Sequence, residues 1–174
     1  MIKFGLAMLG VLSLLGGSYW ATSPEPELSQ LGAVEPGSSD PGGRVLVLDG
    51  DFDVSALSGS DVVLWFWAPW CPHCAESASQ VATLNAEYPE VLILGVGLDG
   101  TAEELAAFVT SNGASDMPHL SGATSWPLVS ALMTEYQVTT IPTFVVRQDN
   151  GEVRNRAGFD RGGLRNDLDW LISN

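Results

Sequence analysis

From residue 44 onward, apolar runs suited to strands alternate with helical patterns. Continuous apolar runs rich in β-branched and aromatic residues predict buried strands over residues 45–48, 62–67 and 91–96. His119 and Leu120 fit a short further strand. Residues 143–147 predict the next strand, and after the turn at Asp149-Asn150-Gly151 the chain returns antiparallel over residues 152–156.

Helical patterns fill the intervals between these runs. A helix is predicted over residues 71–87, and Thr101 with Glu104 three residues later has the capping-box pattern that begins a second helix, ended by Asn112-Gly113. Residues 126–136 and 164–172 predict two more helices, which we expect Trp126 and Trp170 to anchor by packing. This order of elements predicts a layered α/β domain over residues 44–174.

Two groups of polar residues in this region are expected to have no catalytic or ligand-binding role. His119 is interpreted as a residue of a loop or a sheet edge. Asp49, Asp51 and Asp53 resemble part of a calcium-binding loop, but they lack the glycine after the third acid and the distal glutamate of such a loop. We therefore interpret them as a solvated turn.

The chain before residue 44 has a different character. Residues 1–21 combine Lys3 with an apolar run and small residues, which predicts an export signal. The cleavage motif is poor, so an uncleaved membrane anchor is the alternative, and a first helix of the domain is less favoured. Residues 22–43, rich in Ser, Pro, Glu and Gly, predict a flexible linker.

The formal net charge of −14 excludes several classes of partner. Nucleic acids and anionic membrane surfaces attract basic patches, so we expect no nucleic-acid binding and contact with a membrane only through an N-terminal anchor. Most of the basic residues lie near the C-terminus, where scattered surface charge is favoured over a functional patch (Arg147, Arg154, Arg156, Arg161 and Arg165).

The chain's two cysteines both lie in the segment Cys71-Pro72-His73-Cys74. The segment follows a predicted buried strand and opens a predicted helix, so Cys71 sits where a helix N-terminus stabilises a thiolate. Cys71 is the candidate nucleophile and Cys74, one turn further in, the resolving thiol. A partly protonated His73 beside the thiolate would lower the thiol pKa further. A fall from ~8.5 to ~5.5 would stabilise the dithiol by ~2 kcal/mol at pH 7, or ~45 mV.

Three other uses of this cysteine pair are weaker. A structural disulfide closing so short a loop yields only ~2 kcal/mol in the chain-entropy model. A zinc site needs four ligands, and the only histidines are His73, strained between the cysteines, and His119. Peroxiredoxin-like proteins carry a threonine three residues before the reactive cysteine, where this chain has Ala68. We therefore expect no metal.

A second candidate element is Thr140-Ile141-Pro142-Thr143, where a proline immediately precedes a predicted strand. A cis Ile141–Pro142 bond would accommodate it, and cis X-Pro bonds mark tight, constrained turns. Because most prolines are trans, the residues alone leave the isomer open.

Two stretches, residues 62–74 and 136–159, resemble the thioredoxin superfamily, and the likeness extends over about residues 45–173. The resemblance implies a thioredoxin-like fold, with a central mixed sheet flanked by helices. The extra strand–helix block between Val91 and Tyr136 looks like the insertion of the TlpA/ResA/DsbE branch. The first stretch looks most like secreted DsbE-type proteins of actinobacteria, and the Pro-His dipeptide matches the oxidase DsbA.

The resemblance also implies roles for individual residues. Pro142 would be the cis-proline that faces the cysteines, with Ile141 and Thr140 beside it to bind a substrate backbone, and Trp70 would flank the nucleophile. It implies no cofactor beyond the Cys71–Cys74 disulfide. The chain differs from the thioredoxin pattern at one position, because thioredoxins carry a buried aspartate where this chain has Trp65. This difference disfavours a general reductase.

The favoured function is that of an extracytoplasmic oxidase that transfers its disulfide to exported proteins with cysteines. A membrane redox partner, which the family implies, would reoxidise it, and we expect a monomer. The alternative is a TlpA- or ResA-like extracytoplasmic thiol reductase, for example one that acts in cytochrome c maturation. A third hypothesis, a non-catalytic peptide-binding module, is disfavoured by the intact cysteine pair.

Overall fold

The protein is described by a computed structural model over residues 44–47, 50–53, 57 and 59–173. The predicted export signal or anchor at residues 1–21, the linker at 22–43 and Asp49 lie outside the described residues. Among the helices that these residues form, none is both long and apolar enough to cross a membrane.

Seven strands and four helices follow one another along the described chain. The strands are β1 (Arg44–Val47), β2 (Gly50–Asp53), β3 (Val62–Trp67), β4 (Leu92–Gly97), β5 (His119–Ser121), β6 (Thr143–Arg147) and β7 (Val153–Ala157). The helices are α1 (Pro72–Glu87), α2 (Ala102–Ser111), α3 (Gly122–Glu135) and α4 (Arg161–Leu171). The predicted elements are therefore confirmed, most of them within one or two residues.

The strands form one mixed sheet in the order β2-β1-β5-β4-β3-β6-β7. β3, β4 and β5 are parallel to one another. On one side β6 pairs antiparallel with β3 and β7 pairs antiparallel with β6, and on the other side β1 pairs antiparallel with β5. The five strands from β5 to β7 form the thioredoxin-like sheet, which the β1–β2 hairpin extends. The predicted α/β fold class is confirmed.

The sheet topology places α1 in the middle of a helix layer. The crossovers β3-α1-β4 and β4-α2-β5 advance in the same direction, and right-handed crossovers then put α1 and α2 on the same face. The end of α2 meets α1 where Gly113 approaches Ser79. On the other side α1 contacts α4, through a 2.6 Å hydrogen bond from the Tyr88 hydroxyl to Asp169. α1 therefore lies between α2 and α4.

The core centres on β3, whose six residues are all buried, as the continuous apolar run predicts. The ring of Trp65 stacks on Phe144 of β6 with centroids 6.3 Å apart. The ring of Trp67 stacks on Phe108 of α2 at 4.4 Å. These contacts fix β3 between its neighbours and hold the chain that leaves its carboxyl end.

Two of the predictions about aromatic residues and histidine are wrong. Trp126 does not anchor a helix in the core, because 48% of its surface is exposed. α3 begins four residues earlier than predicted and is kinked at Ser125, with φ −128° and ψ 32°, immediately before Trp126. His119 is buried rather than at an edge, since β5 lies between β1 and β4.

The interpretation of the early aspartates as a turn is also wrong for the two that are described. Asp51 and Asp53 lie on β2, which pairs with β1 in the register Leu46 with Asp51 and Arg44 with Asp53. The alternation of aspartate with other residues is compatible with a strand at the edge of the sheet, where every second side chain points to the same face.

Candidate active site at the start of helix α1

The loop between β3 and α1 is a tight turn that presents Cys71 to the helix. The Cys71 amide donates to the carbonyl of Ala68 at 3.1 Å, so Pro69 and Trp70 occupy the corners of a four-residue turn. Proline suits the first corner because its φ is already fixed near the required value. Cys71 then caps α1 in an extended conformation, and Pro72 occupies the first turn, where its missing N–H costs nothing.

Cys71 and Cys74 form a disulfide, with their Cα atoms 5.2 Å apart. Cys74 is fully buried, whereas Cys71 retains 5% of its surface, as the expected difference in accessibility requires. The Cys74 amide donates to Sγ of Cys71 at 3.2 Å. That amide and the positive end of the helix dipole both favour negative charge on Cys71, so opening of the disulfide favours a thiolate there.

His73 lies on the exposed side of the first helical turn. Its Nδ1 is 3.2 Å from Oε2 of Glu76, and both side chains are at least three-quarters exposed. That His73 stabilises a thiolate at Cys71 stays a prediction. The hydrogen bond of its ring with the carboxylate of Glu76 was not identified from the sequence. His73 and Glu76 are three residues apart on a predicted helix, and this spacing indicates that their side chains can be in contact.

The segment around Pro142 meets the cysteine loop at one edge of the sheet. The Ile141–Pro142 bond is cis. Thr143 pairs with Phe66 in the antiparallel register of β6 with β3, which places Pro142 across from Trp67, the residue from which the cysteine loop departs. The segment is held by hydrogen bonds from Thr143 Oγ1 to the carbonyl of Thr140 at 2.7 Å and from the Gly158 amide to that of Pro142 at 2.8 Å.

The two residues predicted to bind substrate near Pro142 differ in accessibility. Thr140 is exposed and Ile141 is half-buried, packed against the core. The topology thus brings the predicted site residues on the cysteine loop and on the 140–142 segment to the same end of the sheet.

No ionisable side chain replaces the aspartate that thioredoxins carry on the strand before the loop. Trp65 fills that position and is fully buried, between Phe144 and an edge-on His119 at 6.1 Å. The Nε2 of His119 donates to the carbonyl of Ala114 at 2.8 Å. In the described part of the chain, no three His, Cys, Asp or Glu side chains are grouped so as to hold a metal ion.

A groove beside the cysteine loop was not identified from the sequence. It has a volume of about 580 Å³ and runs between the turn at Pro69 and Trp70 and one side of α2. Trp70, immediately before Cys71, has 64% of its surface exposed. The capping-box pattern gave the start of α2, but no local signal gave its position beside the loop.

Comparisons with known proteins agree with this architecture. The family described as thioredoxin-like matches residues 59–153. The soluble secreted antigen MPT53 of Mycobacterium tuberculosis is 29% identical over 100 residues, which cover 58% of this chain and 54% of MPT53. The thiol-disulfide oxidoreductase ResA of Oceanobacillus iheyensis is 32% identical over 103 residues, which cover 58% of this chain and 50% of ResA.

A solved structure extends the comparison beyond the sequence. A secreted disulfide oxidoreductase of Mycobacterium tuberculosis, homologous to Escherichia coli DsbE, superposes with a TM-score of 0.63 at 26% identity, covering 74% of this chain and 95% of that one. The chain spans about half the length of the curated relatives it matches. The family match covers more than half of the chain and includes both cysteines and Pro142. The chain therefore belongs to the thioredoxin-like family, with the fold and the paired cysteines of its thiol–disulfide oxidoreductases.

Proposed function

We propose that this protein is a thiol–disulfide oxidoreductase that oxidises exported proteins through Cys71 and Cys74. The observation that carries the proposal is the disulfide at the start of α1, with its less buried sulfur on the helix N-cap. A substrate thiolate attacks Sγ of Cys71, the disulfide breaks and Cys74 leaves as a thiolate. A second substrate thiolate then attacks the mixed disulfide, so the substrate gains a disulfide and Cys71–Cys74 gains two electrons and two protons.

Residues around the sulfur are proposed to position the substrate. Trp70 is exposed at the turn before Cys71, and Ile141 and Thr140 lie on the segment that the β3–β6 register brings to the same edge. An extended substrate segment beside Ile141 would orient its cysteine toward Cys71, with Pro142 shaping the edge. The exchange requires no cofactor beyond the disulfide, because the electron pair stays on sulfur throughout.

An extracytoplasmic location fits this chemistry. Disulfides persist in oxidising compartments, the first 21 residues have the composition of an export signal or anchor, and the relative MPT53 is a secreted protein. Each turnover leaves Cys71 and Cys74 reduced, and the chain has no third cysteine to relay electrons. We therefore propose that a membrane redox partner regenerates the disulfide. We also propose that the enzyme is a monomer.

The proposed direction of electron flow is supported by the groups that stabilise the reduced form. The helix N-terminus and the Cys74 amide both favour a thiolate at Cys71, and a stabilised dithiol makes the disulfide a stronger oxidant. Trp65 in place of a buried acid removes a group that assists the resolving cysteine in reductases. The alternative, an extracytoplasmic reductase, is favoured by the likeness to ResA.

The equilibrium reduction potential separates the two directions. It is measured in glutathione buffers from tryptophan fluorescence, since Trp67 and Trp70 lie beside the cysteines. A potential of about −180 mV or higher, the range of protein disulfide isomerase, is expected for a disulfide donor. A potential near that of thioredoxin, about −270 mV, would overturn the oxidase in favour of the reductase. Thr110→Gln, a substitution at an exposed position of α2, is the control and should leave the reduction potential unchanged.

A further inference from the structure

The groove between the cysteine loop and α2 has a defined wall and floor. We call it the α2 groove, and its lining residues are Pro69, Trp70, Asp99, Gly100, Glu104, Ala107, Phe108, Ser111 and Asn112. The spacing of Glu104, Ala107, Phe108 and Ser111 places them on one face of the helix. That face is therefore directed at the redox loop.

The floor of the α2 groove is fixed and its centre is open. Phe108 is 5% exposed and stacks on the fully buried ring of Trp67, so it cannot move without disturbing β3. Ala107 and Ser111 on either side are exposed and small. Small side chains beside a fixed aromatic ring leave space for an incoming side chain, which would meet a preformed surface.

The other wall is the exposed indole of Trp70, immediately before Cys71. An exposed tryptophan leaves a large apolar area in water, and tryptophan is among the residues that contribute most to binding when a partner covers them. Because Trp70 adjoins the sulfur that forms the mixed disulfide, a chain joined to Cys71 must pass beside this ring or on the Pro142 side. The α2 groove is thus continuous with the proposed exchange site.

The charge around the α2 groove is of one sign. Asp99 and Glu104 are exposed along it, and the sequence contains no Lys or Arg between residues 45 and 146. The arginines of β7 and α4 lie on the other side of α1, and they pair with acids there: Arg154 and Arg156 with Asp167, and Arg161 and Arg165 with Glu87. Within the part of the chain that the structure describes, the acids of the groove therefore face a partner without a neighbouring arginine or lysine to neutralise them.

We propose that the α2 groove binds an extended segment of the substrate polypeptide adjacent to its reacting cysteine. An apolar side chain of the substrate would lie against Trp70 and Ala107, and a lysine or arginine near it would face Asp99 and Glu104. This inference rests on the proposed function and adds a substrate preference to it. A second copy of this chain is a poorer occupant, because two molecules of net charge −14 repel each other.

The charge preference is tested with two reduced peptides, each with two cysteines and a leucine beside the first, which differ only in a neighbouring lysine or glutamate. Their rates of reducing the Cys71–Cys74 disulfide in the full chain are followed by tryptophan fluorescence. The wild-type protein is expected to react faster with the lysine peptide. Glu104→Gln, which keeps the capping geometry, should lower the lysine-to-glutamate rate ratio by about twofold to fivefold.

Glu103→Gln is the matched control, because it removes the same charge from the same turn of α2 but lies outside the α2 groove. It should leave the lysine-to-glutamate rate ratio at the wild-type value. A ratio near one in the wild-type protein, or an equal fall in the two variants, would overturn the charge preference and the proposal with it.

The apolar contact is tested by filling the groove. Ala107→Gln should lower the ratio of the peptide rate to the rate with dithiothreitol, a small thiol that needs no groove, by more than about fivefold. Thr110→Gln makes a similar change at an exposed position of α2 that does not line the groove, and should leave this ratio unchanged. An unchanged ratio in Ala107→Gln would overturn the proposal.

The same assays separate failure of the groove from failure of the chemistry. If dithiothreitol does not reduce the disulfide in the wild-type protein, the proposed function itself fails. If dithiothreitol reacts but neither peptide ratio responds to the groove variants, only the groove proposal fails. A dimeric wild-type protein that Ala107→Gln converts to a monomer would show that the groove holds a second copy, and would also overturn it.

Discussion

Cys71 and Cys74 occupy different environments although they are three residues apart. Cys71 is the N-cap of α1 and keeps 5% of its surface, whereas Cys74 is fully buried one turn into the helix. A thiolate in solution reaches the sulfur that is accessible, and the helix N-terminus stabilises the charge on that same atom. We therefore expect the two cysteines to have separable roles.

Single replacements should reveal these roles. Cys71→Ser is expected to abolish disulfide exchange, because it removes the accessible sulfur. Cys74→Ser is expected to accumulate a mixed disulfide through Cys71, because no internal thiol remains to release the substrate. Mass spectrometry of the protein after incubation with an oxidised two-cysteine peptide measures the adduct. A Cys71→Ser protein that keeps its biological function would instead support a peptide-binding module.

Prediction from sequence succeeds at residues whose role follows from their neighbours along the chain. The N-cap position of Cys71 and the pair Thr101–Glu104 are local patterns, and the structure has both. The placement of Trp126 fails because it depends on a kink at Ser125 that the apolar pattern does not show. The burial of His119 fails because it depends on which strand lies beside β5.

At the scale of elements, α4 is attached to the sheet edge by a buried carboxylate. Both Nε and Nη2 of Arg156 donate to Oδ2 of Asp167, at 3.0 and 2.7 Å, and Arg154 approaches its other oxygen at 3.5 Å. The guanidinium of Arg154 also lies 3.6 Å from the centre of the Trp170 ring. This cluster joins β7 to the helix that closes the fold.

Asp167→Asn should therefore destabilise the protein by about 1 to 3 kcal/mol, because it removes the negative charge that faces Arg156 and replaces the oxygen near Arg154 by an amide nitrogen that cannot accept. Urea unfolding at pH 7 measures the loss. Asn166→Ala, at an exposed neighbouring position of α4, is the control and should stay within about 0.5 kcal/mol of wild type. Equal stability of the Asp167→Asn and Asn166→Ala proteins would contradict a structural role for the cluster.

A hydrogen bond between α1 and α4 makes stability depend on alkaline pH. The hydrogen bond from the Tyr88 hydroxyl to Asp169 raises the pKa of Tyr88 above its usual value near 10. A raised pKa means that the contribution to stability is complete below the pKa of the unfolded chain and is lost as the pH rises through the folded value. Burial likewise raises the pKa of Tyr136.

The free energy of unfolding should therefore decrease above about pH 10, by up to about 1.4 kcal/mol per pH unit for each tyrosine that ionises only on unfolding. Tyr88→Phe should reduce this slope, at the expense of some stability at pH 7. Urea titrations at pH 7, 9.5 and 11 give both quantities. An identical slope in wild type and Tyr88→Phe would show that the hydrogen bond does not control the ionisation.

The predictability of elements depends on the source of their stability. β3 and β4 follow from continuous apolar runs, since strands covered on both faces need them. β2 was missed because its segment has no such run and is formed by pairing with β1. Predicting that the cysteine loop meets Pro142 requires the β3–β6 register, and predicting the α2 groove requires the packing of α2. Neither the register nor the packing is determined by residues that are neighbours along the chain.

For the whole molecule, the proposed oxidising power has a consequence for folding. If the folded domain favours the dithiol more than the unfolded chain does, the reduced protein must be more stable than the oxidised one by the same free energy. We expect a difference of about 1 to 3 kcal/mol, since about 30 mV corresponds to 1.4 kcal/mol. Urea unfolding with and without an excess of dithiothreitol tests this, and a more stable oxidised form would favour the reductase.

The separation of arginines from the α2 side gives the described part of the molecule a permanent electric dipole. Among residues 59–173, acids without neighbouring arginine or lysine lie on one side of α1, and the guanidinium groups of β7 and α4 lie on the other. An approaching cationic chain experiences a torque as well as an attraction, so collisions are oriented before contact. The rate of association should decrease as ionic strength rises. Reversing the charge of Arg165, which is far from the sulfur, would change the direction of the electric field and leave the reaction at Cys71 unaltered.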